Sequence, residues 1–164
     1  MNEATAHLLF DTVERLEKNI VARECPAIVA LEGTTGPGKL VMSDYDYLRD
    51  SATAAAFEMR AAGKAAEIGV VRWVLAVPQV WVFSAPGTIA VRAVSNHRLR
   101  EGEQEAITWM SFDQDDGIDY GRVAYARRPS GEPVFEEPEM FEVGIRPTET
   151  MPGFALLQRC LSEE

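Results

Sequence analysis

A polar loop at residues 95–101 carries the side chains best suited to chemistry in this sequence. His97 is a candidate general base, because an imidazole has a pKa near neutrality and loops often carry catalytic residues. Arg98 follows directly, and a guanidinium can hold a carboxylate or phosphate with two parallel hydrogen bonds. Ser95 is the adjacent hydroxyl, but the sequence does not fix it against the histidine. His97 is therefore the candidate catalytic residue, and both His97 and Arg98 are candidate ligand-binding residues.

A glycine-rich segment at 33–40, GTTGPGKL, is the second candidate site. It follows an apolar run and resembles the Walker A motif of the P-loop nucleotidases in Gly33, Gly38 and Lys39. The resemblance implies an anion site in which backbone N–H groups and the Lys39 ammonium hold phosphates. Leu40 stands where that motif has a magnesium-binding hydroxyl, and the next residues have the pattern of strand or loop instead of a helix. The alternative that this pattern favours is a glycine-rich hairpin loop.

An acidic stretch at 113–119, DQDDGID, has the composition of a calcium-binding loop. Its spacing differs from that of an EF-hand, because Gly117 follows Asp113 by four positions where the motif needs five. Aspartates also favour tight turns through hydrogen bonds to their own backbone, which is the interpretation we prefer. Two histidines and two distant cysteines match no zinc motif, so the sequence predicts no metal and no cofactor.

Arginines are concentrated in the second half of an otherwise acidic chain. They form either an anion site or cross-strand pairs with the glutamates near 136–142, and the pairing interpretation is favoured because such pairs are common on exposed sheet faces. The arginines are Arg92, Arg98, Arg100, Arg122, Arg127, Arg128 and Arg146.

The overall charge limits the classes of partner. A formal net charge of −10 over 164 residues argues against nucleic acid and against anionic membrane surfaces, since both require clustered lysine and arginine. The N-terminus lacks the basic and apolar regions of a signal peptide, and Cys25 and Cys160 lie near opposite ends of the chain. These features predict a cytoplasmic protein without a membrane segment.

The elements that must position any site are organised around the apolar residues 68–94. Their β-branched side chains predict strands near 70–77, 80–84 and 88–94, with Pro78 at an edge, a bend or the break between two strands. We expect Trp73, Trp81 and Phe83 to belong to the core, the alternative being a platform on which a ligand stacks.

Other periodicities predict helices over 3–23 and 51–67 and a last helix that begins near Thr150. The alanine-rich helix 51–67 is expected to lie on the sheet through a stripe that includes Ala52, Ala55 and Met59, and to end at Gly69. Hairpins are predicted over 27–43 and across Asp116-Gly117, followed by strands at 134–135 and 140–145. We find no linker, so one domain over 1–164 is expected.

Together these elements predict an α+β fold. It is a curved antiparallel sheet of about six or seven strands, covered by the alanine-rich helix and flanked by the N- and C-terminal helices. The expected function is a non-catalytic binding or assembly protein, acting as a homodimer or through a protein partner or a small apolar or anionic ligand on the sheet face. The alternative is a small enzyme or nucleotide- or anion-binding protein that uses the loops at 33–39 and 95–101.

Overall fold

A computed structural model describes residues 1–83, 89–94, 98–142 and 151–162. The helices are α1 (Glu3–Val21), α2 (Ser51–Ile68) and α3 (Phe154–Ser162). The strands are β1 (Ala27–Gly33), β2 (Lys39–Asp44), β3 (Val70–Phe83), β4 (Ile89–Ala93), β5 (Glu103–Asp113), β6 (Gly117–Arg127), β7 (Pro133–Phe135) and β8 (Glu139–Met140).

All the strands join one curled antiparallel sheet in the order β2-β1-β3-β5-β6-β7. β4 pairs with the second half of β3, on the side where β1 pairs with the first half, and β8 pairs with β6. The predicted hairpins at 27–43 and at Asp116-Gly117 are the β1–β2 and β5–β6 pairs. The α+β fold with a curved antiparallel sheet is therefore confirmed.

Helices cover both faces of this sheet. α1 packs on one face, where Leu16 and Ile20 meet Val74 and Trp109. α2 and α3 pack on the other face, over a core that includes Trp73 and the other side chains of that parity along β3. Because successive side chains of a strand point to opposite faces and both faces are covered, β1 and β3 are apolar at most positions.

The ends of α1 and α2 have the local signals that the sequence shows. Asn2 and Asp50 are N-caps, each accepting a hydrogen bond from the backbone N–H three residues later. Gly69 ends α2 in the left-handed region at φ 59°, as predicted, and this conformation is one that glycine adopts without strain.

A break at Pro78 is wrong, because β3 runs unbroken for 14 residues, but the alternative of an edge position agrees with the pairing, since Pro78 has a strand partner on one side only. Pro78 pairs with Ile107 of β5 on one side. On the other side the β1 register ends at Ala76 and the β4 register begins at Gln79, so proline lies where neither strand requires its missing N–H.

Two predictions about burial are also wrong. The buried stripe of α2 passes through Phe57, Ala61 and Ala65 and leaves Met59 46% exposed. Alanines lie on every side of α2, so they do not determine which face is buried. The large ring of Phe57 determines it. Phe83 is 42% exposed, and Trp81 is only half-buried, since the helices cover the sheet face over Trp73 but not over this end of β3.

The predicted helix start at Thr150 and the later part of the predicted strand 140–145 lie outside the described residues. Among the residues that the structure describes, no helix is long and apolar enough to cross a membrane.

Candidate functional site

The glycine-rich loop connects two strands of a hairpin. The Gly33 N–H donates to the Gly38 carbonyl at 2.7 Å, and the chain then enters β2 at Lys39. The loop therefore lacks the helix N-terminus from which a P-loop draws its field. The Lys39 ammonium lies 3.7 Å from Glu32 and 3.9 Å from Asp11, so two carboxylates already neutralise it.

Among the described residues, the two predicted loops do not come together. Lys39 pairs with Glu32, which faces Arg72 near the start of β3. Arg98 is exposed and lies two residues from Arg100, whose N–H donates to Glu103 opposite Val82. Arg72 and Val82 are ten residues apart on β3, roughly 33 Å at about 3.3 Å per residue. Lys39 and Arg98 therefore line different parts of the surface, and His97 lies outside the described residues.

The acidic turn is structural. Asp113 is buried, and its Oδ1 accepts the backbone N–H groups of Asp115 and Asp116 at 2.9 and 3.1 Å. Its Oδ2 accepts Thr5 of α1 and Arg72 of β3. Burial alone would raise the pKa of this carboxyl, but hydrogen bonds from Asn2, the turn N–H groups and Thr5 outweigh burial and lower it. No group of three or more potential metal ligands occurs in the described part of the chain.

A cavity of about 410 Å³ opens where α2 and α3 no longer cover the sheet. Its volume lies in the range of small-molecule sites. Its walls are mostly aromatic and aliphatic and belong to β3, β4, β6 and the segments near 141 and 151. They include Trp81, Val91, Tyr120, Phe141, Met151 and Pro152.

Strand pairing fixes the position of the Trp81 indole, which forms one wall of this cavity. Trp81 pairs with Val91 of β4 and with Gln104 of β5. Its Nε1–H donates to the Thr108 hydroxyl at 3.0 Å, and its ring lies 5.7 Å from that of Phe141. A ring held by a ladder, a hydrogen bond and an aromatic neighbour loses little further freedom when a ligand packs on it.

Arg122 lies over the same aromatic group. Its guanidinium carbon is 5.1 Å from the Trp81 ring centroid and 5.7 Å from that of Phe83, within the range of cation–π contacts. β6 positions it, because Arg122 pairs with Thr108 on one side and Glu139 on the other. Its Nε lies 3.3 Å from a Glu139 carboxylate oxygen. The cavity thus has apolar walls, and the Arg122 guanidinium lies next to it, over Trp81 and adjacent in sequence to Gly121, two residues that line the cavity.

Two polar groups in the cavity wall have no hydrogen-bond partner among the described residues. Gln79 is 8% exposed and its Oε1 is orphaned; Tyr120 is 7% exposed and its hydroxyl is orphaned. Burial, followed by the nearby charge of Glu58, raises the pKa of Tyr120 to about 12. An unpaired buried polar atom costs stability, so each is a natural anchor for a ligand or a water molecule.

Comparison with protein-family models, with curated proteins and with solved structures finds no match to this chain. Its function is therefore inferred from its own geometry.

A second cavity of about 380 Å³ adjoins the first, since Gln79, Val91, Met151 and Pro152 line both. Its other side is formed by the start of α2, including Glu58.

Glu58 is the buried carboxyl at this second cavity. Burial raises its pKa, an effect that the Tyr47 hydroxyl and the backbone N–H groups at the start of α3 partly offset. One carboxyl oxygen accepts Tyr47 at 2.7 Å and the other accepts the Leu156 N–H at 3.2 Å. A raised pKa is typical of general acids and bases, but both oxygens here already accept hydrogen bonds, one from Tyr47 and the other from the backbone of α3.

A larger groove of about 560 Å³ runs between α1 and strands β1 and β2. Charged side chains line it, including Asp11, Arg15, Lys18 and Lys39, and two ion pairs of Lys39 border it. Such walls are well solvated, whereas ligand sites are predominantly apolar with few polar groups. The cavity beside Trp81, which we call the Trp81 cavity, is therefore the better candidate despite its smaller volume.

Sequence reasoning identified part of this site. The sequence predicts Trp81 and Phe83 as the alternative stacking platform, and it shows Arg122 only as one of several arginines. The sequence-based prediction does not include Gln79, although a side-chain amide inside an apolar strand indicates that its buried polar atoms need hydrogen-bond partners.

Proposed function

We propose that this protein binds a small, largely apolar molecule in the Trp81 cavity. The observation that carries the proposal is a cavity of about 410 Å³ whose walls are mostly aromatic and aliphatic and whose buried amide, Gln79, has an orphaned oxygen among the described residues. Binding sites for small molecules typically combine apolar walls with a few polar groups that fix orientation.

A flat, ring-containing ligand fits these walls best. The Trp81 and Phe141 rings lie 5.7 Å apart at an interplanar angle of 52°, so they form an angled pair of faces. Aromatic rings prefer offset-stacked or edge-to-face neighbours, and both geometries are open to a bicyclic ring against such a pair. This proposal retains the sequence-based expectation of a non-catalytic protein that acts through an apolar sheet face.

N-phenyl-1-naphthylamine is a suitable neutral probe, because its fluorescence increases in apolar surroundings. It has 17 non-hydrogen atoms, and about 0.3 kcal/mol per atom gives roughly 5 kcal/mol, or a Kd on the order of 0.2 mM. We expect saturable binding at this Kd or tighter.

Val91→Trp is the variant that tests the location. Val91 is 42% exposed and its side chain lies beside Trp81, so a larger ring there fills the mouth of the cavity with little effect on the core. Val134→Trp is the matched control, since Val134 is 46% exposed on β7, away from the cavity. Val91→Trp should weaken probe binding at least tenfold and Val134→Trp should not; equal binding by both variants contradicts the proposal.

Self-association is the second part of the proposal. Phe10 and Val21 of α1 are 54% and 57% exposed, and a spacing of 11 residues places them on one side of the helix, away from the sheet. They offer an apolar surface for a second copy in the cytosol, the compartment that the sequence favours. Native mass spectrometry should show a dimer that Phe10→Glu dissociates and that Met59→Glu leaves intact; a monomeric wild type contradicts this part.

A further inference from the structure

We propose that the ligand of the Trp81 cavity is an apolar acid, with a ring-sized body in the cavity and one carboxylate on Arg122. This inference rests on the proposed function and specifies its ligand class. It depends on two observations. The half-buried Arg122 guanidinium lies beside an apolar cavity, and its two terminal nitrogens have no hydrogen-bond acceptor among the described residues.

Arg122 has donors to spare. Its side chain is 22% exposed, and its Nε contacts Glu139. In the described part of the chain, its two terminal nitrogens have no acceptor. The Trp81 and Phe83 rings hold the guanidinium from one side, which leaves its edge to meet a carboxylate in the two-bond geometry that arginine prefers.

Glu139 is a weak competitor for this position. Its side chain is 57% exposed, and the Nε–Oε2 distance of 3.3 Å is long for a charge-assisted bond. Exposed ion pairs of this kind contribute little to stability. A ligand carboxylate should bind the guanidinium more tightly than Glu139 does, because burial of the attached apolar body holds the carboxylate in place.

Gln79 provides an independent observation. It is 8% exposed, lines the cavity, and its Oε1 has no partner among the described residues. Gln79 and Trp81 are two positions apart on β3 and therefore face the same side of the sheet. A buried acceptor in the cavity wall and a cation over the same aromatic ring suit a ligand that has polar groups as well as an apolar body.

Naphthalene-2-carboxylate and naphthalene-2-carboxamide test the inference by isothermal titration calorimetry at pH 7. They have the same ring and nearly the same shape, and they differ in charge. We expect the wild type to bind the carboxylate at least tenfold more tightly than the amide. Arg122→Gln should abolish this preference by weakening carboxylate binding, and Arg122→Lys should restore part of it.

Arg128→Gln is the matched control, because Arg128 is 63% exposed and pairs with Glu132. It removes the same charge from the surface and should leave the preference for the carboxylate unchanged. A wild type that binds both compounds equally overturns the inference and leaves the proposed function intact. Loss of the preference in Arg128→Gln as well as in Arg122→Gln also overturns it, since the effect is then one of net charge. A wild type that binds neither of the two naphthalene derivatives, and does not bind the neutral naphthylamine probe, contradicts the proposed function itself.

Discussion

Replacement of Asp113 by asparagine tests how the sheet is tied to α1. The Asp113 side chain is 2% exposed and joins three elements, because it accepts hydrogen bonds from Thr5 of α1, Arg72 of β3 and its own turn. Asparagine preserves the shape and keeps one oxygen for the turn. The amide nitrogen of asparagine takes the place of Oδ2, so its N–H groups face the Arg72 guanidinium, which is also a hydrogen-bond donor.

The expected cost is about 3 kcal/mol in the free energy of unfolding. Removal of one partner of a buried ion pair typically costs about 3 to 5 kcal/mol. The lower end applies here because Arg72 is 23% exposed and keeps its 2.9 Å contact with Glu32. Asp115→Asn is the control: Asp115 is exposed in the same turn, and its replacement should change stability by less than about 0.5 kcal/mol.

The pH dependence separates charge from shape. The pKa of Asp113 is lower in the folded protein than in the unfolded chain, so its contribution is fully present above the ordinary aspartate pKa of about 3.9 and is lost as the pH falls below it. Urea unfolding followed by tryptophan fluorescence at pH 7 and pH 3 measures this. The gap between wild type and Asp113→Asn should narrow at pH 3. A gap below about 1 kcal/mol at pH 7, or one that is unchanged at pH 3, refutes the reasoning.

Three further predictions concern two buried positions and one exposed glycine. Burial raises the pKa of Glu58, so ionisation of this carboxyl destabilises the fold. The wild type should therefore lose stability relative to Glu58→Gln as the pH rises from 4 through the pKa of Glu58 in the folded protein. Thermal unfolding between pH 4 and 8 measures this, and a constant difference between the two proteins contradicts it. Gly121→Ala should destabilise by more than about 2 kcal/mol, because a Cβ there overlaps the Trp109 ring and a backbone carbonyl of β8. Gly63→Ala, which meets nothing within 4 Å on α2, should stabilise by about 0.5 to 1 kcal/mol in the same urea assay.

Local signals in the sequence predicted most of the secondary structure. Asp50 and Gly69 fix the ends of α2, and Asp116-Gly117 fixes a hairpin, since each acts through its own backbone conformation. The path of β3 across Pro78 was not predictable in the same way. It depends on where β1 ends and β4 begins beside it, which is a property of strand pairing between distant segments.

The Trp81 cavity was only partly predictable for a similar reason. The sequence shows Trp81, one member of its aromatic wall, but the exposure of that ring depends on where α2 and α3 end over the sheet. Arg122 reaches Trp81 because β5 lies between their strands and sets the register of both. No pattern within β6 distinguishes this arginine from those that form ordinary surface ion pairs.

Fluorine NMR of protein labelled with 5-fluorotryptophan tests the central proposal most directly. The chain has three tryptophans; Trp73 and Trp109 are fully buried, and Trp81 alone lines the cavity. Addition of naphthalene-2-carboxylate or the naphthylamine probe should shift one resonance, which Trp81→Phe removes from the spectrum. A shift of the Trp73 or Trp109 resonance without one at Trp81, or no shift at saturating ligand, contradicts binding in this cavity.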